Sequence, residues 1–148
     1  MKRAGFTMIE LIFVIVILGI LAAVAIPKLA ATRTDAEVSK GASDVATLVS
    51  DLGAYYTSQG AFDFNAGGPS NMTNVPVDST NLTDGTLFNY EVPTGTACVG
   101  IKISDTNGSV SITDASGTGS AACEAIITVI TNNGILKTHN FGGTGVQY

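Results

Sequence analysis

The sequence predicts an α+β fold: one long N-terminal helix, membrane-spanning in its first half, packed on an antiparallel sheet of about four strands. Three observations lead there. Residues 6–26 are overwhelmingly apolar and carry a single charge, Glu10. Beyond Pro27 the apolar positions Val38, Ala42, Val45, Val49, Leu52 and Tyr56 recur at steps of three and four residues, a helical period. From residue 86 onward, short segments alternate apolar and polar side chains between glycine- and asparagine-containing turns.

The first element is the apolar helix. At 1.5 Å per residue, residues 6–26 would extend about 32 Å, enough for a bilayer core. A carboxylate within such a segment costs about 2.5–3.5 kcal/mol to insert. The segment offers no basic residue to pair with Glu10. The same residues admit three plainer readings. In a secretory signal peptide, Lys2 and Arg3 would form the basic start, 11–21 the apolar core and Ala23-Val24-Ala25 the cleavage site. In an uncleaved anchor, Lys2 and Arg3 would be opposed by Lys28, Arg33 and Lys40 across the membrane. A buried helix of a soluble domain fits poorly, because the apolar surface runs all the way round.

Helical character continues to about residue 58. Gly19 lowers propensity by about 1 kcal/mol relative to alanine, and Pro27 removes a backbone donor, so a kink is expected over 23–27. Asp35, Lys40, Ser43, Asp44 and Asp51 lie mostly away from the apolar stripe, whose face would rest on the sheet.

Residues 60–85 are rich in turn formers, with Phe62, Phe64 and Leu82 as anchors, and read as a surface connection. Asp63, Asn65, Asp78 and Asp84 lack the spacing of a calcium loop and read as solvated acids. Strands are expected at 86–92, 98–104 and 109–113, the last two forming a hairpin about Asn107-Gly108. Val99, Ile101 and Ile103 would share a face with Val110 and Ile112, leaving Lys102 and Ser111 in water. A further strand is expected at 124–131, with Cys123 at its entry, and another at 135–138.

Composition narrows the function. The 148 residues suit one domain on a membrane stem. Net charge is −5 and would fall to −7 if Lys2 and Arg3 were removed, which argues against nucleic acid as a partner. Cys98 and Cys123, behind an export segment, read as a disulfide contributing about 3.5 kcal/mol, the other reading being two unrelated core thiols. With His139 alone they fall short of a zinc site. No nucleophile elbow, phosphate loop, metalloprotease helix or carboxylate pair appears, so no enzyme and no cofactor are expected. His139 reads as a surface or strand-end residue. The sequons at Asn71, Asn81 and Asn107 carry little specificity in loops rich in serine and threonine.

Gly5-Phe6-Thr7-Met8-Ile9-Glu10-Leu11 resembles the processing site of type IV pilins and of the related pseudopilins of type II secretion. The resemblance runs through about Lys28, weakens along the following helix and does not extend to roughly the last 90 residues. It implies that a membrane peptidase cuts after Gly5, that Phe6 becomes the N-methylated terminus, and that Glu10 serves filament assembly. It further implies loss of helicity between Gly19 and Lys28 on assembly. The implied organisation is a leader at 1–5, a transmembrane and filament-core helix at 6–27, an amphipathic half at 28–58, a surface loop at 59–85 and a β-sheet head at 86–148. Implied partners are copies of the same chain, the prepilin peptidase, an assembly platform protein with its ATPase, and the inner membrane before assembly. The head would lie in the periplasm before assembly, and the assembled form would be an extracellular filament or a periplasmic pseudopilus. Alternatives within the family are a type II secretion pseudopilin and a minor pilin acting as an adhesin or DNA-uptake module. The acidic composition speaks against DNA. Major pseudopilins tend to lack a cysteine pair and often carry a calcium loop, so Cys98 and Cys123 tilt the reading toward a pilus.

Overall fold

The structure, a computed structural model, describes residues 5–65, 68–77, 83–92, 95–106, 108–115 and 120–143. The chain divides into two compact units, Met1–Ala36 and Glu37–Tyr148. Helix α1 covers Met8–Gln59 and is unbroken through Gly19 and Pro27. In the first unit every described residue of α1 up to Arg33 is exposed, including Phe13, Leu21 and Leu29. Such a surface is unstable in water and asks for lipid or protein around it.

In the second unit, α1 buries Gly41, Val45, Leu48, Leu52 and Gly53. The expected stripe is therefore present but rotated: Val38, Ala42, Val49 and Tyr56 are its half-buried flanks. Glycine is the cause. A Cβ on Gly41 would lie 2.5 Å from Ile126 Cδ1, and one on Gly53 2.4 Å from the Phe141 ring. The helix approaches its neighbours most closely at residues that contribute nothing to a hydropathy pattern.

The sheet comprises β1 (Leu87–Val92), β2 (Thr96–Ser104), β3 (Ser109–Asp114) and β4 (Thr138–Asn140), antiparallel in the order β1-β2-β3-β4. Its inner face is Phe88, Tyr90, Val92, Val99, Ile101, Ile103, Val110 and Ile112, all buried with Val45, Leu48 and Leu52. Burying such side chains stabilises by about 1.5–3 kcal/mol each relative to exposure. Lys102 is exposed and Ser111 half-buried on the opposite face. Gly108 has the positive φ that a tight turn between β2 and β3 demands; Asn107 lies outside the described residues.

Two expectations fail. Residues 124–131 are not a strand but part of helix α2, Ala121–Asn132. Their β-branched content suggests a strand, yet the buried positions Ala122, Cys123, Ile126 and Ile130 fall on one face of a helix and not on alternate residues. The end is fixed by glycine. Gly134 takes a φ of 68°, its N–H donates to Thr131 O, and the Ile135 N–H donates to Ile130 O. Those two bonds satisfy carbonyls that the last turn leaves open. The second failure follows from the first. Because Ile135 closes the helix, the last strand starts later than 135–138, with Thr138 opposite Ser111 and His139 opposite Val110.

The connection after α1 is less superficial than its composition suggests. Phe62 is buried and Phe64 partly so, but Pro69, Met72, Thr73 and Val75 are buried too. Thr73 is tolerated because its hydroxyl donates to Asp51 Oδ2 at 2.8 Å and accepts from the Val75 N–H. Leu82, Asp78 and Asn81 lie outside the described residues.

Candidate processing and assembly segment

Gly5, Phe6 and Thr7 precede the helix, and all three are exposed. Thr7 is the residue before Met8, where α1 begins, and Glu10 is the third residue inside it. The Glu10 carboxylate accepts from the Thr7 N–H at 2.9 Å and from the Thr7 hydroxyl at 2.5 Å. The Glu10 N–H donates to Thr7 Oγ1 at 3.4 Å. This reciprocal arrangement is a capping box, which satisfies backbone donors that the first turn cannot. Glu10 also lies in the positive end of the helix dipole.

Residues 6–26 offer Glu10 no cation, and the partner it has is instead a hydroxyl and a backbone N–H. The threonine three residues earlier was the missed signal. The cap holds the carboxylate at the helix start and leaves residues 5–7 non-helical. The backbone on the C-terminal side of Gly5 is exposed. At Gly19 a Cβ would meet nothing within 4 Å, and Pro27 stands inside the helix.

Cys98 and Cys123 form a disulfide with Cα atoms 5.2 Å apart. A β-bulge positions it. Tyr90 pairs with Val99 and Glu91 with Ala97, so Cys98 is left without a partner on β1. The extra residue re-aims its side chain toward the first turn of α2.

Polar contacts in the head are structural. The Tyr90 hydroxyl donates to Asp44 Oδ2 at 2.9 Å, and Lys40 pairs with the same oxygen at 3.1 Å. Burial, followed by the hydrogen bond and charge of Asp44, pushes the Tyr90 phenol well above its ordinary range. Asp63 is held below the usual carboxylate range by the Asn65 N–H and then by the Asn71 amide. Asp84 is lowered chiefly by the Asp105 N–H. These acids are occupied by local donors, and among the described residues no group of three His, Cys, Asp or Glu could hold a metal ion. His139 sits on β4 with Nε2 2.9 Å from Ile135 O and its ring stacked on Phe141. A shallow cleft of about 480 Å³ lies between the end of α1 and residues 70–74, lined by Asp51, Tyr55, Asn71 and Thr73.

Comparison with known proteins bears on the same segment. Residues 1–26 match the family described as the prokaryotic N-terminal methylation motif. The chain is 33% identical over 75 residues to type II secretion system core protein G of Aeromonas hydrophila, covering 51% of this chain and 52% of that protein. It is 41% identical over 54 residues to the protein of the same name from Dickeya chrysanthemi, covering 36% and 35%. That from Escherichia coli is 39% identical over 54 residues, covering 36% and 37%. The chain thus spans from about a third to about half the length of these relatives. No solved structure matches.

Proposed function

We propose that this chain, whose methylation motif and relatives are those of the type IV pilin and pseudopilin family, is a structural subunit of a bacterial type IV pilus-like filament. One observation carries the reading: an apolar helix exposed on all sides begins with a capped acid five residues beyond an accessible glycine. The capping box accounts for an acid at the helix start, and the accessible glycine five residues before it is what a plain anchor would not need.

In this reading 1–5 is a leader that the prepilin peptidase removes after Gly5, and Phe6 becomes the N-methylated terminus. Residues 6–27 anchor the precursor in the inner membrane and then form the filament core. Residues 28–58 carry the head, with 59–85 and 86–148 coating the outside. Cleavage creates a cationic amine at Phe6, and Glu10 is its counter-ion, within one chain or between neighbours. A buried charge left unpaired costs several kcal/mol, so an incoming subunit is held where amine and carboxylate meet. The Thr7 cap keeps Glu10 satisfied until then. Gly19 and Pro27 mark the stretch where helical hydrogen bonds are most easily given up on assembly. An assembly platform protein and its ATPase would drive addition of subunits.

A second reading, a pseudopilin of a type II secretion apparatus, is supported by the relatives, which are type II secretion system core proteins G. Both readings require the same segment and the same self-assembly. The test is Glu10→Val. The variant is expected to insert and be cut at Gly5 but to yield few sedimentable fibres. Fibres of normal length and abundance would overturn the assembly role of Glu10.

A further inference from the structure

The cleft beside the end of α1 is built from groups held on one side and open on the other. Asp51 and Tyr55 stand one helical turn apart on α1, so their side chains share a face. Across from them, a short 3-10 turn at Gly68–Asn71 brings Asn71, Thr73 and Asn74 alongside. Asp51 Oδ2 accepts from the Thr73 hydroxyl at 2.8 Å, which fixes the carboxylate and leaves Oδ1 open among the described residues. The Asn71 amide is fixed in the same way: its Nδ2 donates to Asp63 Oδ2 at 2.9 Å while the residue stays exposed. The Tyr55 ring is half-buried, with the core packed behind it. Asn74 is exposed at the rim.

Groups fixed in advance lose little freedom when a ligand arrives. Among the described residues the lining has one acid and no cation, so it offers nothing to a phosphate, a sulfate or a carboxylate. A carboxylate oxygen and an amide carbonyl accept from hydroxyls, and an amide N–H donates to them. The electron-rich face of a tyrosine ring suits the C–H face of a saturated ring. We propose that this cleft binds a neutral hexose unit of a glycan, its C–H face on Tyr55, adjacent hydroxyls donating to Asp51, and Asn71 and Asn74 bonding the remainder. A volume of about 480 Å³ accommodates such a ring. A peptide partner would need an apolar anchor in a dry pocket, and the large apolar side chain on this lining, Met72, is already buried in the core. Sugar binding by the head needs no fibre and stands apart from the filament reading. In a fibre each copy would repeat the cleft, so weak single sites would add up to firm attachment.

The test is an amide NMR titration of the full chain in a zwitterionic detergent that carries no sugar. The probes are the methyl glycosides of glucose, galactose, mannose and N-acetylglucosamine, with glucuronic acid and an arginine-rich peptide as rivals. At least one neutral glycoside is expected to shift amides of 51–58 and 70–74 with a Kd of about 1–10 mM, the range open to so small a polar ligand. Glucuronic acid should bind at least about tenfold more weakly, because its carboxylate meets Asp51. Tyr55→Leu should raise the Kd about tenfold, whereas Tyr55→Phe, which keeps the ring, should stay within about threefold of wild type. Asn74→Ala, at an exposed position where folding is not at stake, should weaken binding about threefold. No shift of these amides by any glycoside at about 50 mM would overturn the proposal. So would an unchanged Kd in Asn74→Ala together with a folded Tyr55→Leu. Tighter binding of the arginine-rich peptide to the same amides would overturn it too, and assign the cleft to a basic protein segment.

Discussion

Replacing both cysteines tests how the head is held together. Cys98 and Cys123 are fully buried, 25 residues apart in sequence, and join β2 to the first turn of α2. Closing a loop of that length restricts the unfolded chain by about 3.5 kcal/mol. For a head of this size, 1 kcal/mol is worth about 4 °C, so Cys98→Ala/Cys123→Ala should lower the midpoint by about 10–15 °C. The sulfur atoms also fill core volume, so the loss should not fall below that range. The assay is thermal unfolding of the full mature chain in detergent, followed by near-UV circular dichroism of its tyrosines. Far-UV signals would understate the change, because the apolar half of α1 stays helical in detergent. Hydrogen exchange should show α2 amides losing protection before those of β2 and β3. A midpoint within about 3 °C of wild type, or α2 protection unchanged, would refute the claim that the bridge fastens α2 to the sheet.

Two further outcomes follow from packing and charge. Gly41→Val should cost the head about 1–3 kcal/mol in urea titration, because Ile126 is fully buried and cannot yield, whereas Gly19→Ala should leave the head unchanged. Asp63 and Asp84 have folded-state values below the unfolded carboxylate range, so their stabilisation is complete above about pH 4 and disappears as pH falls through the lower folded values. Urea midpoints should therefore fall between pH 6 and pH 3, and Asp63→Asn/Asp84→Asn should flatten that dependence; an equally steep fall in the variant would contradict it.

Much of this was legible in the sequence for physical reasons that also explain the failures. The apolar segment, the paired faces of β2 and β3 and the partnership of Cys98 with Cys123 are written in residue type and spacing. Helix α2 was misread because isoleucine, threonine and valine favour strands wherever tertiary context does not decide. Its stop signal, Asn133-Gly134, was nevertheless present. The glycine contacts of α1 were invisible because a hydropathy stripe counts side chains and these positions matter for lacking them. The capping partner of Glu10 was within reach, three residues away, once hydrogen bonds and not only charges are considered.

The most direct test of the central claim is the N-terminus of the chain recovered from sheared fibres, read by sequencing and intact mass. The account predicts a chain that begins at Phe6 and carries one added methyl group on its α-amine, with Glu10 retained. A chain that begins at Met1, or at Ile26 with Glu10 discarded, would contradict it.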